Sequence, residues 1–376
     1  MLESLTAPTN LALTVAMLAF CVAFVLGALS AKTNFCTLGA VSDIVNMEDW
    51  GRMRMWALSI AVAIVGAQAL DYFGVIDLSK SFYPRANFTY ASYIVGGAMF
   101  GVGMTLASGC GSRTLVRVGG GNLKSLVVLV FMGIAAYMTM KRLFGVWRVN
   151  TLDKLTVDFG QFGATGQDLT ALLGVGGMAK KTAQLLGTTF VAGALLIFVL
   201  KNQEFRRGTE GWIGGLAYGL AIVAGWTISA KLGFAENPDT LADTFFGTNS
   251  RQAESLSFVA PVAYSLEILM LWSDKSLGLT FGIGAVAGMI AGAAAYTLAT
   301  GKFRWEGFGS VADVRNHMLG AVLMGAGGVT AMGCTIGQGL SGVSTLALGS
   351  FLALAAMIAG CAATLKYQYW QMMREA

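Results

Sequence analysis

Three of the five cysteines lie beside residues that form turns. Cys36 follows the polar run 32–34, and Cys110 and Cys334 each follow a glycine within a glycine-rich stretch. A neutral thiol is a weak hydrogen-bond donor with a polarizable sulfur. Thiols in such positions predict a pathway that a small solute passes by brief contacts. The other two, Cys21 and Cys361, lie inside continuous apolar runs, where a cysteine is ordinarily a small packing residue.

The residues around the second and third cysteines are predicted to form the backbone of this pathway. Glycine permits a helix to break, and a break at membrane depth is tolerated where it lines a polar cavity. The N–H groups released at a break, and the N-terminus of the next helix, attract anions. Arg113 could draw an anion toward the pathway, or it could be an interfacial residue that extends to the membrane surface. The supporting positions are Gly109, Gly111, Gly333 and Thr335.

Other uses of these thiols remain open from the residues alone. Cysteine and methionine suit a soft metal such as monovalent copper, although the chain has no Cys-x-x-Cys motif and only one histidine, His317. A membrane sulfurtransferase that carries a cysteine persulfide would need a thiolate activated by a base or cation, and only Arg113 is near Cys110 in sequence. A structural subunit would leave the glycine–cysteine pattern without a role. We predict a protein that is not an enzyme and has no catalytic residue, bound metal or cofactor.

The chain contains an internal duplication. Two segments that begin at Tyr93 and His317 align on their cysteines without a gap. The coinciding positions are Gly96 with Gly320, Gly101 with Gly325, Gly103 with Gly327, Gly109 with Gly333, and Cys110 with Cys334. The duplication predicts two transmembrane repeats, 1–147 and 183–376, joined by a polar loop at 148–182 and integrated in one membrane domain. Duplicated halves are common in transporters, where the substrate path lies between them.

Composition predicts that these repeats lie in a membrane. The chain is 55% hydrophobic and 12% charged, whereas soluble domains carry about 25% charged residues. Crossing the bilayer takes about 20 apolar residues, and runs near that length lie at 11–29, 56–70, 126–140, 188–200, 279–298 and 346–365. We therefore predict an all-α polytopic fold with shorter, broken helices at the glycine–cysteine segments. Glu267 lies in an apolar stretch and needs a polar partner or water.

The charge pattern limits the classes of binding partner that the chain is expected to have. The net charge of +5 is dispersed along the chain, so no nucleic-acid-binding arm is predicted. A mild positive charge suits an anionic solute or an anionic lipid surface. No basic residue precedes the first apolar run, so we expect that run to be a retained span rather than a cleaved signal peptide.

The motifs resemble the YeeE/YedE family of bacterial inner-membrane proteins, the sulphur transport domain family, and particularly its members that take up thiosulfate. The matching segments are NFCTLGAVSD at 34–43, FGVGMTLASGCGSRTL at 100–115 and MGAGGVTAMGCTIGQGLSG at 324–342. The resemblance covers nearly the whole chain. It implies multi-pass helices with shorter helices that enter from each side, related by pseudo-symmetry, in the inner membrane.

The resemblance also implies a substrate and a route. Thiosulfate would pass a central line of cysteines, which are Cys36, Cys110 and Cys334 here. Some members of the family are linked to selenium or to other sulfur compounds, so these substrates stay open. A small cytoplasmic sulfur-carrier or sulfurtransferase protein is an implied partner. Channel-like passage and secondary transport both fit the sequence.

Overall fold

The computed structural model describes residues 8–141, 143–237, 241–274 and 277–375. Most of them are helical, because apolar runs in a membrane satisfy their backbone polar groups by internal hydrogen bonds. The first α-helices are α1 (Pro8–Thr33), α2 (Thr37–Met47), α3 (Gly51–Tyr72), α4 (Tyr90–Leu106), α5 (Gly111–Gly119), α6 (Leu123–Lys141), α7 (Leu143–Asn150) and α8 (Leu169–Val175). The remaining α-helices are α9 (Lys180–Leu200), α10 (Gln203–Arg207), α11 (Thr209–Thr227), α12 (Val259–Met270), α13 (Phe281–Ala299), α14 (Val311–Thr330) and α15 (Leu348–Glu375).

The other elements are short. Two-stranded antiparallel sheets pair β1 (Asn87–Phe88) with β2 (Val157–Asp158) and β3 (Phe234–Glu236) with β4 (Asp243–Phe245). The 3₁₀ turns lie at Leu78–Lys80, Leu152–Lys154 and Phe159–Phe162, and π-helical turns lie at Ile228–Leu232 and Gly337–Gly342. The polar segment at 148–182 is thus a structured connection that includes α8 and β2.

The fold is that of a multi-pass membrane protein. In the described part of the chain, eight helical segments are long and apolar enough to cross a membrane. α1 with α2 forms one of these segments, and α4 with α5 forms another. Large apolar side chains point outward on α9, where Phe190 is 79% exposed and Ile197 is 70% exposed. Such a surface suits lipid, and the predicted all-α polytopic fold is confirmed.

The glycines of the duplicated segments bring α4 and α14 into backbone contact. A Cβ on Gly103 would lie 2.7 Å from the Gly320 carbonyl oxygen, and a Cβ on Gly320 would lie 2.6 Å from the Gly103 oxygen. Gly96 and Gly327 face each other in the same reciprocal way, at 2.8 and 2.7 Å. The early part of each helix meets the late part of the other, so the two helices cross antiparallel. Small residues permit such close packing between helices in membranes.

The same set of contacts occurs twice around this crossing. α1 packs on α13 as α11 packs on α3, and α4 packs on α15 as α14 packs on α6. α2 lies between α3 and α15, and α12 lies between α13 and α6. α5 touches α13 and α1, and the π-helical turn at Gly337–Gly342 touches α3 and α11. By these contacts, the helices of the first half have structural equivalents in the second half. The equivalents are α1 and α11, α2 and α12, α3 and α13, α4 and α14, and α6 and α15.

The connections gather at two faces. Residue Ser81 bridges to Ala253, and β1 pairs with β2, so the segments 73–89, 151–168 and 248–257 form one surface, here called the loop face. At the N-terminal end of α6, Asn122 forms a β-bridge with Glu306. The surface at that end is here called the opposite face. The cysteine segments lie between the two faces.

Candidate functional site

Each of the three predicted cysteines begins a short helical segment after a sharp turn. Cys36 is the N-cap residue of α2 and Cys110 that of α5. Cys334 directly precedes the helical residues 335–344. Two residues before each cysteine the backbone is left-handed, with φ of 53° at Asn34, 56° at Ser108 and 58° at Met332. The chain therefore ends one helix, turns and starts the next in the same way at all three places.

The left-handed residue of the two duplicated breaks is the one that precedes the glycine. Ser108 and Met332 hold that conformation, which costs a residue with a Cβ roughly 1–2 kcal/mol. The following glycines close the turn, since the Gly109 N–H donates to the Met104 oxygen at 2.9 Å and the Gly333 N–H donates to the Gly328 oxygen at 2.7 Å. Strain of this kind collects at functional sites, where the surrounding packing holds it in place.

The supporting glycines differ in how much room they leave. A Cβ on Gly333 would lie 3.0 Å from Gln338 Cγ and 3.1 Å from the Gln338 nitrogen, so a side chain would be tightly packed at this turn. A Cβ on Gly109 would meet nothing nearer than Arg113 Cγ at 3.4 Å. A Cβ on Gly111 would meet nothing nearer than 3.8 Å. Gly111 therefore keeps space open beside the second cysteine, while Gly333 serves the turn itself.

The thiols lie against the positive ends of the helices that they begin. The Gly39 N–H donates to Cys36 Sγ at 3.4 Å, and the Gly337 N–H donates to Cys334 Sγ at 3.4 Å. Cys110 Sγ lies 3.3 Å from the Ser112 hydroxyl. Free N–H groups and the helix dipole make such ends favourable for an anion. Each sulfur thus lies at a place where a negative charge would be stabilised.

The three thiols form one buried row. The Cys36 and Cys110 side chains contact each other, and the Thr335 hydroxyl faces the Cys110 sulfur. Cys334 lies further along, within electrostatic range of Cys110. Cys36 is 7% exposed, Cys110 1% and Cys334 not at all. The structure brings together residues that are 224 positions apart in the aligned repeats.

Two hydroxyl groups in this row are available as donors. Thr37 and Thr335 directly follow Cys36 and Cys334, and both side chains are buried. Neither hydroxyl has a hydrogen-bond partner of suitable geometry among the described residues. An unpaired buried hydroxyl is costly unless a solute or water uses it. Thr335 was predicted as a supporting residue. Thr37 was not, and the signal that indicates it is that a threonine follows Cys36 as one follows Cys334.

Arg113 lies at the end of the row that holds Cys36. Its guanidinium Nη2 donates to the Asn34 side-chain oxygen at 3.1 Å. Phe35, between Asn34 and Cys36, stacks on Tyr218 with ring centroids 3.7 Å apart. The cation is thus tied to the first turn rather than inserted among the thiols.

A family model described as sulphur transport matches residues 32–363. The chain belongs to the sulphur transport family. Two relatives are each named thiosulfate transporter TsuA. The protein of Spirochaeta thermophila is 26% identical over 353 residues, which cover 90% of this chain and 94% of the relative. That of Escherichia coli is 25% identical over 343 residues, which cover 89% of each chain. The resemblance inferred from the motifs is confirmed.

In this member of the sulphur transport family, a cavity extends from the loop face to Gly333 and Ser257, the residues beside Cys334. Its volume is about 280 Å³, and Tyr83, Glu254, Ser257 and Gly333 are among its lining residues. Ser257 Oγ lies 4.0 Å from Cys334 Sγ, at the inner end of the cavity. The cavity therefore gives the row of thiols a vestibule on one side.

Glu254 is the acidic side chain of this vestibule. The Ser250 hydroxyl donates to its carboxylate at 2.8 Å. Burial raises the pKa of the Glu254 carboxyl to about 7. Arg85 and Arg148 line the same cavity, and Arg148 forms an ion pair with Asp153 at 3.1 Å. The charge of the vestibule thus changes near neutral pH through Glu254.

The remaining candidate residues lie away from the row. Cys361 is buried on α15 and accepts a hydrogen bond from Thr105 at 3.3 Å, as a packing residue would. Cys21 is exposed on α1, so it is not packed inside the protein. Glu267 has the polar partner that it was predicted to need, because the Tyr137 hydroxyl donates to it at 2.9 Å. Among the described residues, no group of three or more His, Cys, Asp or Glu is placed to hold a metal ion.

Proposed function

We propose that this chain transports thiosulfate, or a closely related sulfur-containing anion, across a bacterial inner membrane along the row Cys334, Cys110 and Cys36. The observation that carries the proposal is the row itself: each buried thiol begins a helix whose positive end faces it. The two relatives named thiosulfate transporter support the choice of substrate. The direction of transport is uptake.

The chemistry of the row suits this anion. Thiosulfate is a dianion with a soft sulfur end and hard oxygen ends, and removing its water is very costly without replacement donors. The thiols, the hydroxyls of Thr37 and Thr335, and the N–H groups of the helix ends can replace that water. These donors hold a dianion less tightly than a Lys or Arg in the row would. Conduction requires sites that bind an ion well enough to admit it and weakly enough to release it.

The proposed step is a transfer of hydrogen bonds and forms no covalent bond. The anion leaves the Cys334 thiol as it reaches Cys110, and it leaves Cys110 as it reaches Cys36. Cys110 lies between the other two and contacts Cys36 and Thr335, so the relay depends most on Cys110. A persulfide on any of these thiols would instead indicate a sulfurtransferase, and intact mass would reveal it.

Growth of a sulfur auxotroph that lacks its own sulfate and thiosulfate importers tests the proposal. With thiosulfate as the sole sulfur source, the unsubstituted chain should support growth, and Cys110→Ala and Cys334→Ala should abolish it at equal protein abundance. Cys361→Ala is the matched control, since it removes a buried thiol outside the row, and it should grow normally. Growth of the Cys110→Ala strain would refute the relay. Failure of the unsubstituted chain at good expression would move the substrate to another sulfur or selenium species, or to a soft metal.

Three further features belong to the same proposal. The repeats 1–147 and 183–376, joined by 148–182, form the two halves of the transport unit. Their equivalent helices α4 and α14 cross antiparallel at the glycine contacts, so we infer that the repeats have opposite orientations in the membrane. A small cytoplasmic sulfur-carrier or sulfurtransferase protein would receive the anion.

A further inference from the structure

The repeated contacts define a position that matches Cys36 in the second half. α2 lies between α3 and α15, and its counterpart α12 lies between α13 and α6. Cys36 immediately precedes α2 and contacts Cys110. The matching chain segment is the one that enters α12, and the thiol that it should contact is Cys334.

Ser257 occupies that position. It lies two residues before the start of α12, and its hydroxyl is 4.0 Å from Cys334 Sγ. The Cys36–Cys110 contact of the first half is therefore matched by a Ser257–Cys334 contact in the second. The sequence alignment of the duplicated segments does not reach this residue, because Ser257 precedes Cys334 by 77 positions.

Ser257 has no evident structural task. The N-cap residue of α12 is Phe258, and no side chain caps that helix. By contrast, the neighbouring Ser255 hydroxyl donates to the Ile222 oxygen at 2.8 Å, and the Ser265 hydroxyl donates to the Pro261 oxygen at 2.8 Å. Ser257 differs from both because it lines the vestibule and faces a thiol of the row.

We propose that Ser257 is the fourth substrate-contacting residue of the pathway and holds the oxygen end of the anion where the vestibule meets Cys334. A hydroxyl is a stronger hydrogen-bond donor than a thiol and suits a hard sulfonate oxygen, whereas the Cys334 sulfur suits the soft end. The pair therefore selects an anion that carries both kinds of atom. This inference rests on the proposed transport of such an anion.

Uptake kinetics of labelled thiosulfate in vesicles that contain the full chain test this role. Ser257→Ala should raise KM about tenfold, the effect of one hydrogen bond to a charged group, with a smaller change in maximal rate. Ser257→Cys should raise KM less than Ser257→Ala does, by about threefold, because a weaker thiol donor remains. Ser265→Ala is the matched control on α12, and its KM should equal that of the unsubstituted chain. The amount and monodispersity of each purified variant show, independently of uptake, whether the variant has folded.

The outcomes separate this inference from the proposed function. If Cys334→Ala abolishes uptake while well-folded Ser257→Ala keeps an unchanged KM, the row stands and the role of Ser257 is refuted. If Ser257→Ala folds poorly, a well-folded Ser257→Cys decides: an unchanged KM refutes the role of the hydroxyl, and a KM raised about threefold supports it. If the unsubstituted chain takes up no thiosulfate, the proposed function and this inference fall together.

Discussion

The two ends of the cysteine row share a backbone and differ in chemistry. At one end two thiols meet, Cys36 with Cys110, and Arg113 lies close by on Asn34. At the other end a thiol meets a hydroxyl, Cys334 with Ser257, below a vestibule of about 280 Å³. Both ends use the same sequence of helix, left-handed residue and cysteine at a new helix start. The backbone therefore gives equivalent helix starts at the two ends, and the side chains make the ends unequal.

This inequality suits a pathway with a direction. A hydroxyl and a roomy cavity suit the capture of a hydrated anion through its oxygens, since hydroxyl donors resemble the water that they replace. A pair of thiols makes weaker contacts, which favour release. We therefore expect substitutions of matched residues to be equally harmful where the halves are alike, and unequally harmful where they differ.

The glycine crossing is where the halves are most alike, and it gives the largest expected effect. Gly103→Val and Gly320→Val each direct a side chain into the other helix's backbone, so both should reduce folded protein in the membrane to less than about a tenth. Size-exclusion profiles of detergent extracts measure this. Gly193→Val on α9 is the control, because nothing lies within 4 Å of a Cβ there. A large loss for one crossing variant and none for the other would contradict a shared crossing.

The threonines that follow two of the cysteines give the next effect. Thr37→Val and Thr335→Val keep the shape and remove an unpaired buried hydroxyl, so each should lower the rate of thiosulfate uptake about tenfold without loss of stability. Thr330→Val is the control, since that hydroxyl donates to the Ala326 oxygen within its own helix. Uptake is measured in vesicles with equal amounts of protein. If both variants transported normally and were more stable, the hydroxyls would be packing residues only.

The sequence predicts the row and the repeats better than it predicts the details of the site. The paired glycines mark the crossing of α4 and α14, because a residue without a side chain is the direct signature of backbone contact. The glycine–cysteine breaks can also be recognised in the sequence, because glycine permits a helix to break. The sequence does not reveal that Ser108 and Met332 adopt the left-handed conformation, since the packing around each turn decides which residue bears the strain.

Other parts of the site depend on contacts that a single sequence does not reveal. Ser257 belongs to no glycine–cysteine motif, and only the folding of α12 against α6 and α13 brings it to Cys334. The vestibule depends likewise on Tyr83 and Glu254, which come from different connections on the loop face. Glu254 was unremarkable in sequence because its elevated pKa comes from burial by distant segments.

Glu254 gives the smallest and most asymmetric effect, because the cavity it lines is also lined by Gly333 and Ser257, which adjoin Cys334, and by no described residue of the Cys36 turn. Burial raises its carboxyl pKa to about 7, so the group is mostly neutral at pH 6 and mostly negative at pH 8. A negative vestibule repels an entering dianion, so thiosulfate uptake should fall about threefold from pH 6 to pH 8.

Vesicles with equal pH on both sides separate this effect from a transmembrane proton gradient. Glu254→Gln removes the titrating group, so thiosulfate uptake should no longer depend on pH. Its rate should stay at the higher value that the unsubstituted chain shows at pH 6. Glu236→Gln is the matched control, as Glu236 is an exposed acid at the end of β3, and its profile should resemble that of the unsubstituted chain. Since the charge acts at entry, the change should lie in KM and leave the maximal rate nearly constant. A change confined to the maximal rate would place the titrating step within the row, and the vestibule would then no longer account for the difference between the two ends.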